Sequence, residues 1–278
     1  MPVPRRVAVV GHVEHVSLAR VAALPAAGDI VHIDDPRVFA GGGGGVAFAQ
    51  LARSPAEAHF FTAFGDGDAG DASAREVERL GVVHGARRDA PHPRAVVLVT
   101  PDAERTILVV GAPLHPRADD PLPWALLASC DAAYFTGSDP ATLRAARAAR
   151  VLVVTARRRE ALVRSGVRAD VVVGSARDPR EASSLSDYPV PPAALVLTEG
   201  SHGGRIETAA VRMRFAPPPA APTGGGAYGA GDTFAAALTW YLACGLPVAD
   251  ACARAGRHGA AVLAGLDPRD GQLPLEAP

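Results

Sequence analysis

The sequence predicts an α/β protein with a central, mostly parallel β-sheet flanked by helices, and three observations carry that prediction. Short β-branched runs recur at VAVV (7–10), AVVLVT (95–100), TILVV (106–110), VLVVT (151–155), DVVVG (170–174) and ALVLT (194–198). Alanine- and arginine-rich stretches with helical spacing lie between several of them, at 71–81, 139–150 and 158–166. Most runs are continuously apolar instead of alternating, which is how strands covered on both faces read. The 278 residues, 48% hydrophobic and 21% charged, allow one large domain or two small ones, and the pattern is read as one domain over 1–278.

Taken in order, VAVV opens the main sheet. Residues 28–40, GDIVHIDDPRVFA, read as a strand that is half polar. The helix over 71–81 carries a capping box, Ser73 followed by Glu76. Segment 94–110 reads as a hairpin turning at PDAE. Extended pieces without helices between them predict a small antiparallel sheet, a lid drawn from about 14–45 and 92–112. Asp139-Pro140 starts the next helix with a cap and a first-turn proline. APPPAAPTGG (216–225) is a stiff loop crossing the sheet edge. Beyond it, Phe234, Ala237, Leu238, Trp240, Tyr241 and Leu242 mark a buried helix from Asp232 that ends near Gly245 and Pro247.

Composition removes several function classes. A net charge of −1 argues against a nucleic-acid surface, and no apolar stretch is long enough to span a bilayer or serve as a signal peptide. Three cysteines without a CxxC point to a reduced, cytoplasmic setting. All 28 basic residues are arginine. The lysine of a Walker A loop and the amine of a pyridoxal Schiff base are therefore both missing.

The stretch GGGAYGAGDTFAAALTW (224–240) sets five glycines and two alanines around one aspartate and runs straight into a helix. Such a turn brings bare backbone N–H groups to a helix N-terminus, where unpaired amides and the macrodipole favour a phosphoryl group. Asp232 suits two uses there. It caps the helix, or it takes the proton from a hydroxyl attacking phosphorus while the amides hold the transferred group. A cap alone does not explain Gly229, Ala230 and Gly231 together.

In these residues the chain resembles the PfkB/ribokinase family of sugar kinases, whose DTxGAGDxF signature appears as GAYGAGDTF (226–234). The resemblance extends through AGGGGGVAFAQLAR (40–53), GDGDAG (65–70), the strand pair AVVLVTPDAERTILV and TEGSHGG (198–204). It implies a ribokinase-like fold and an ATP- and Mg2+-dependent transfer to a hydroxyl of a sugar or nucleoside. Asp232 would be the catalytic base, with Gly229, Ala230 and Gly231 as the anion hole. Thr198, Gly200 and Gly203 would lie along the nucleotide, with His258 near the adenine. Glu14, Gly41, Gly42 and Gly43 would meet the sugar. The lid would close over the sugar, and its apolar face suits a homodimer. Three positions depart from the family: Val46 stands for a sugar-contacting asparagine, Gly226 for the aspartate that opens the signature, and SARD (175–178) for N-x-x-E.

GDGDAG is a literal G-x-G-x-x-G, the mark of an NAD-dependent oxidoreductase, but Asp66, Asp68 and Asp71 would repel a pyrophosphate. It also lacks the glutamate that closes a calcium loop, and reads better as a solvated acidic turn. His12, Glu14 and His15 lack HExxH spacing, so sugar contact by Glu14 is favoured over a metal. ARRRE (156–160) reads as a solvated helix face, and His202 as a surface-loop histidine. A non-catalytic sugar or nucleoside binder of the same fold is the alternative function. The three departures favour it, and the intact GAGD favours the kinase.

Overall fold

The computed structural model describes residues 3–33, 35–218 and 225–278. The chain begins with β1 (Arg6–Val10), β2 (Glu14–Arg20), β3 (Arg37–Gly41), α1 (Gly42–Leu51), β4 (Glu57–Asp66) and α2 (Asp68–Glu78). It continues with β5 (Val82–Pro91), β6 (Arg94–Val99), β7 (Arg105–Val110), β8 (Ala132–Phe135), α3 (Pro140–Ala146), β9 (Val151–Thr155) and α4 (Arg159–Ser165). Then come β10 (Val171–Ser175), β11 (Ala194–Thr198), β12 (Gly204–Glu207), β13 (Arg212–Phe215), α5 (Ala230–Ala243), α6 (Val248–Ala261) and α7 (Pro268–Gly271).

Nine strands form the main sheet in the order β13-β12-β11-β10-β9-β8-β1-β4-β5. All neighbours are parallel except the β11/β12 and β12/β13 pairs. Each face has its own core. Val7 and Val9 of β1 pack with Phe48, Phe60 and Trp240 under α1, α2, α5 and α6. Ala8 and Val10 pack with Phe135, Leu143, Leu152 and Leu162 under α3 and α4. Burial on both sides is why these strands read as unbroken apolar runs.

The order also locates the functional end of the sheet. From β1 the sheet grows one way through β4 and β5, and the chain then returns to β8 on the other side of β1 and grows outward to β13. That reversal opens a crevice beyond the carboxyl ends of β1 and β8, the usual place for a ligand in such sheets. A second sheet, ordered β3-β2-β6-β7, stands apart as a lid. It is mixed where the sequence predicts antiparallel: β2 and β6 run parallel, because both leave the main sheet on the same side.

Several local expectations give way to tertiary contacts. The capping box does not form, since α2 starts at Asp68 and Ser73 is buried mid-helix. Glu76 instead accepts the Ala40 N–H at 2.7 Å and pairs with Arg269. Residues 28–33 carry no strand, and β3 begins only at Arg37; its partner β2 lies in a stretch too polar to stand out. The short polar pair β12/β13 has no clear sequence signal either. Of the loop at 216–225, residues 219–224 lie outside the described residues. Among the described residues, no helix is long and apolar enough to cross a membrane.

Candidate active site

The glycine-rich turn and α5 set the chemistry of the crevice. Gly229 caps α5 in the left-handed region at φ 75°, and a Cβ there would sit 2.9 Å from Pro268 and 3.1 Å from Val46. Only glycine fits both demands. The first bond onto this end is Thr233 N–H to Gly229 C=O at 2.9 Å. Among the described residues, the N–H groups of Ala230, Gly231 and Asp232 have no protein acceptor. A Cβ on Gly231 would meet nothing within 4 Å, so this part of the turn faces open space.

Asp232 is the third residue of α5, and no side chain caps the helix. Its carboxylate makes no hydrogen bond or ion pair among the described residues, so the capping use is not realised. The group is half-buried. Burial first, and then the negative charge of Glu181, raise its pKa from 3.8 to about 6, with Arg157 and Arg105 opposing. An unpartnered carboxylate with that affinity is suited to accept a proton near neutral pH.

The early glycines approach this carboxylate closely. A Cβ on Gly43 would lie 3.0 Å from Asp232 Oδ1, 3.1 Å from Thr136 Oγ1 and 3.6 Å from His12 Cε1. Gly42 adopts φ 73° and presses against His12 and Glu14, and its N–H donates to the Tyr228 hydroxyl at 2.9 Å. That bond ties the two glycine-rich segments together, and it occupies one amide that the sequence assigned to the sugar. Gly41 packs against Val16, Phe39 and Tyr228 and lies behind the chamber. Glu14 is 7% exposed, and its pKa is raised by burial against the pull of Arg158. His12 lies 3.8 Å away from it. Val46 is fully buried under the lid with Val16, Leu18, Phe39 and Tyr228, so an apolar contact stands where the resemblance implies an amide.

On the other side, Thr198 closes β11 with its hydroxyl donating to the Gly174 carbonyl at 3.3 Å. Gly200 and Gly203 follow at φ 64° and 78°, and the Arg177 guanidinium lies over Gly200. These residues cluster at the carboxyl ends of β10 and β11. His258 does not join them. It is 3% exposed between α5 and α6, with Nε2 bonded to the Tyr241 hydroxyl at 2.9 Å, and burial lowers its pKa to about 4. The α6 face that carries it is turned to the core.

Tyr228, Thr136, Glu181 and Arg158 were missed as site residues. Tyr228 was the most legible, being the aromatic set between Gly226 and Gly229 of the signature. Glu181 lies out of register with N-x-x-E, six residues after Ser175, yet its carboxylate folds back to accept the Ser175 N–H at 2.8 Å. Arg157 pairs with Glu181 at 2.7 Å and Asp178 at 2.5 Å. Arg158 points the other way and donates to the Thr136 carbonyl at 3.0 Å. The arginine run is thus divided between two sides of the crevice and is not a solvated face. GDGDAG does form the acidic turn, with Asp71 paired to Arg87 at 3.0 Å. Among the described residues, no three His, Cys, Asp or Glu side chains cluster as a metal cage. The carboxylate of Glu181 is a hard oxygen donor of the kind that a divalent cation takes.

The family described as pfkB family carbohydrate kinase matches residues 4–164. No curated protein matches the chain significantly. Among solved structures, the chain is similar to the microbiome-derived acarbose kinase Mak1 (21% identity, TM-score 0.77), covering 96% of this chain and 94% of that one. It is also similar to adenosine kinase from Sinorhizobium meliloti (17%, 0.77, covering 99% and 97%). A third is Arabidopsis thaliana ribokinase complexed with ribose and ATP (16%, 0.70, covering 96% of each). At these identities the likeness shows the ribokinase-like fold.

Proposed function

The chain belongs to the pfkB family of carbohydrate kinases, and from that premise we propose that it transfers the terminal phosphoryl group of ATP to a hydroxyl of a sugar or sugar-containing small molecule. One observation carries the reading: an unpartnered carboxylate, Asp232, stands beside unpaired amides at an open helix N-terminus and faces the bare backbone of Gly43. The acceptor hydroxyl lies over Gly43, and Asp232 takes its proton. The Ala230 and Gly231 amides hold charge on the transferred oxygens. Glu14 and the chamber around Gly42 and Gly43 bind the sugar, and Thr198, Gly200 and Gly203 border the nucleotide. Glu181 would help to hold the magnesium, which would supply charge neutralisation on the phosphates. The lid covers the acceptor and keeps water from competing for the phosphoryl group.

The test is ATP consumption across pentoses, hexoses, oligosaccharides and nucleosides, alongside calorimetric binding of each compound. Turnover with at least one acceptor is expected. Acceptor binding with no ADP formed would replace this reading with the non-catalytic binder.

The lid also suits a homodimer. Ile107 and Val109 of β7 are paired with Val97 and Ala95, so they continue the apolar face of the lid, yet they are 43% and 49% exposed. β7 is a free edge with no proline and no charge after Arg105, the kind of edge that pairs with a second copy. Light scattering is expected to show a two-chain particle, and Ile107→Glu to convert it to single chains. A native protein that already runs as one chain refutes the dimer.

A further inference from the structure

The two arginines after β9 occupy the middle of the sheet, between the nucleotide-side strands β10 and β11 and the acceptor-side strands β8 and β1. Arg157 is neutralised by Asp178 and Glu181. Arg158 turns to the acceptor side, half-buried, and no carboxylate among the described residues lies within ion-pair distance of it. Its Nε donates to the carbonyl of Thr136, the residue whose hydroxyl borders the space over Gly43 together with Asp232. Glu14 and Asp232 act on it from beyond that distance, so its charge is only partly compensated, and an anion that meets it directly is favoured.

Two histidines complete the surroundings. Arg158 Nη2 lies 3.4 Å from His115 Nε2. Arginine has no acceptor, so His115 Nε2 must accept, and the ring proton sits on Nδ1. That Nδ1 is buried and has no partner, as is the Nδ1 of His12, whose ring lies 5.1 Å from that of His115. Burial foremost holds both rings neutral, with pKa values of about 3 for His12 and about 2 for His115. With both rings neutral, Arg158 carries the positive charge of the trio. Beyond His115 lies a cavity of about 480 Å³, whose walls include Arg88, Arg117, Asp119 and Asp139. Arg88 is tied to Asp120, and Asp139 is occupied in capping α3. Arg117 is exposed, and so is the carboxylate of Asp119. Its volume falls in the range of small-molecule sites.

We propose that Arg158 is a specificity residue for an acidic acceptor: a sugar bearing a carboxylate or a phosphate monoester, whose acid group docks on Arg158 and His115 while its reactive hydroxyl lies at Asp232. The proposal rests on the kinase reading for the position of the hydroxyl, but the acid subsite itself is tested by binding alone. Calorimetry without ATP compares ribonate and gluconate, ribose 5-phosphate and glucose 6-phosphate, and the neutral parents ribose and glucose.

At least one acid is expected to bind about tenfold or more tighter than its neutral parent, and the arm that does so identifies carboxylate or phosphate. Arg158→Met should abolish that preference, so that the acid binds no tighter than its neutral parent. Arg158→Lys keeps the charge without the guanidinium fork and should retain part of the preference, which keeps the idea testable if the methionine variant does not fold. Neutral parents binding as tightly as the acids, or Arg158→Met weakening all acceptors equally, overturns the proposal. Tight acid binding with no ATP consumption leaves the subsite standing and removes the kinase reading.

Discussion

Asp232→Asn is expected to lower turnover by about 10²- to 10⁴-fold with little change in acceptor or nucleotide affinity, the usual cost of removing a positioned general base. The amide is nearly isosteric and cannot take the proton. In the native enzyme the base works only when ionised, so kcat/KM should fall as pH drops below about 6, the value to which burial raises this group. The variant should lose that limb of the profile. Stability should move the other way. A carboxyl whose folded pKa lies above its unfolded value of 3.8 contributes fully below pH 3.8, and that contribution is lost as pH rises through about 6. At pH 7 the ionised group therefore destabilises the fold by about 1–3 kcal/mol, and the asparagine variant should melt a few degrees higher. Initial rates across pH and a thermal melt of both proteins check the three expectations together. Unchanged turnover removes Asp232 as the base.

Gly231→Val is expected to separate folding from chemistry. A Cβ at this position meets nothing within 4 Å, and its φ is not among the positive values of the chain, so the fold has room for the side chain. The melting temperature should stay close to native. The branched side chain would stand in the space proposed for the transferred phosphoryl group, in front of the amides that hold it. Turnover should fall by about 10²- to 10³-fold, as for loss of an oxyanion-hole donor. Gly229→Val makes the contrast, since φ 75° and the approach to Pro268 and Val46 forbid it; that variant should lose stability as well as activity. Native turnover in Gly231→Val would show that the phosphoryl group travels elsewhere.

Legibility in the sequence followed the range of the forces involved. The strands at 151–155, 170–174 and 194–198 and the cap at Asp139 were readable because burial on both faces and local capping leave marks on neighbouring residues. The capping box at Ser73 was readable and did not form, because Glu76 finds better partners in Ala40 and Arg269. His258 carries no local sign that α6 turns it inward to Tyr241. Glu181 was missed because a motif is read at fixed spacing, whereas a carboxylate on a loop reaches its target by folding back.

The sequence alone determined the class of sheet, the place of the glycine-rich turn at a helix start and the identity of Asp232 as its ionisable group. Periodicity, glycine density and helix-end chemistry are all properties of contiguous residues. Tertiary structure decided that this aspartate has no bonded partner among the described residues, and why its pKa stands near 6. It also decided that Tyr228 locks the two glycine segments together, and that Arg157 is neutralised while Arg158 turns to the Thr136 carbonyl. Those outcomes depend on which distant groups share a low-dielectric crevice. Chain order does not specify that until the sheet has reversed direction between β1 and β8.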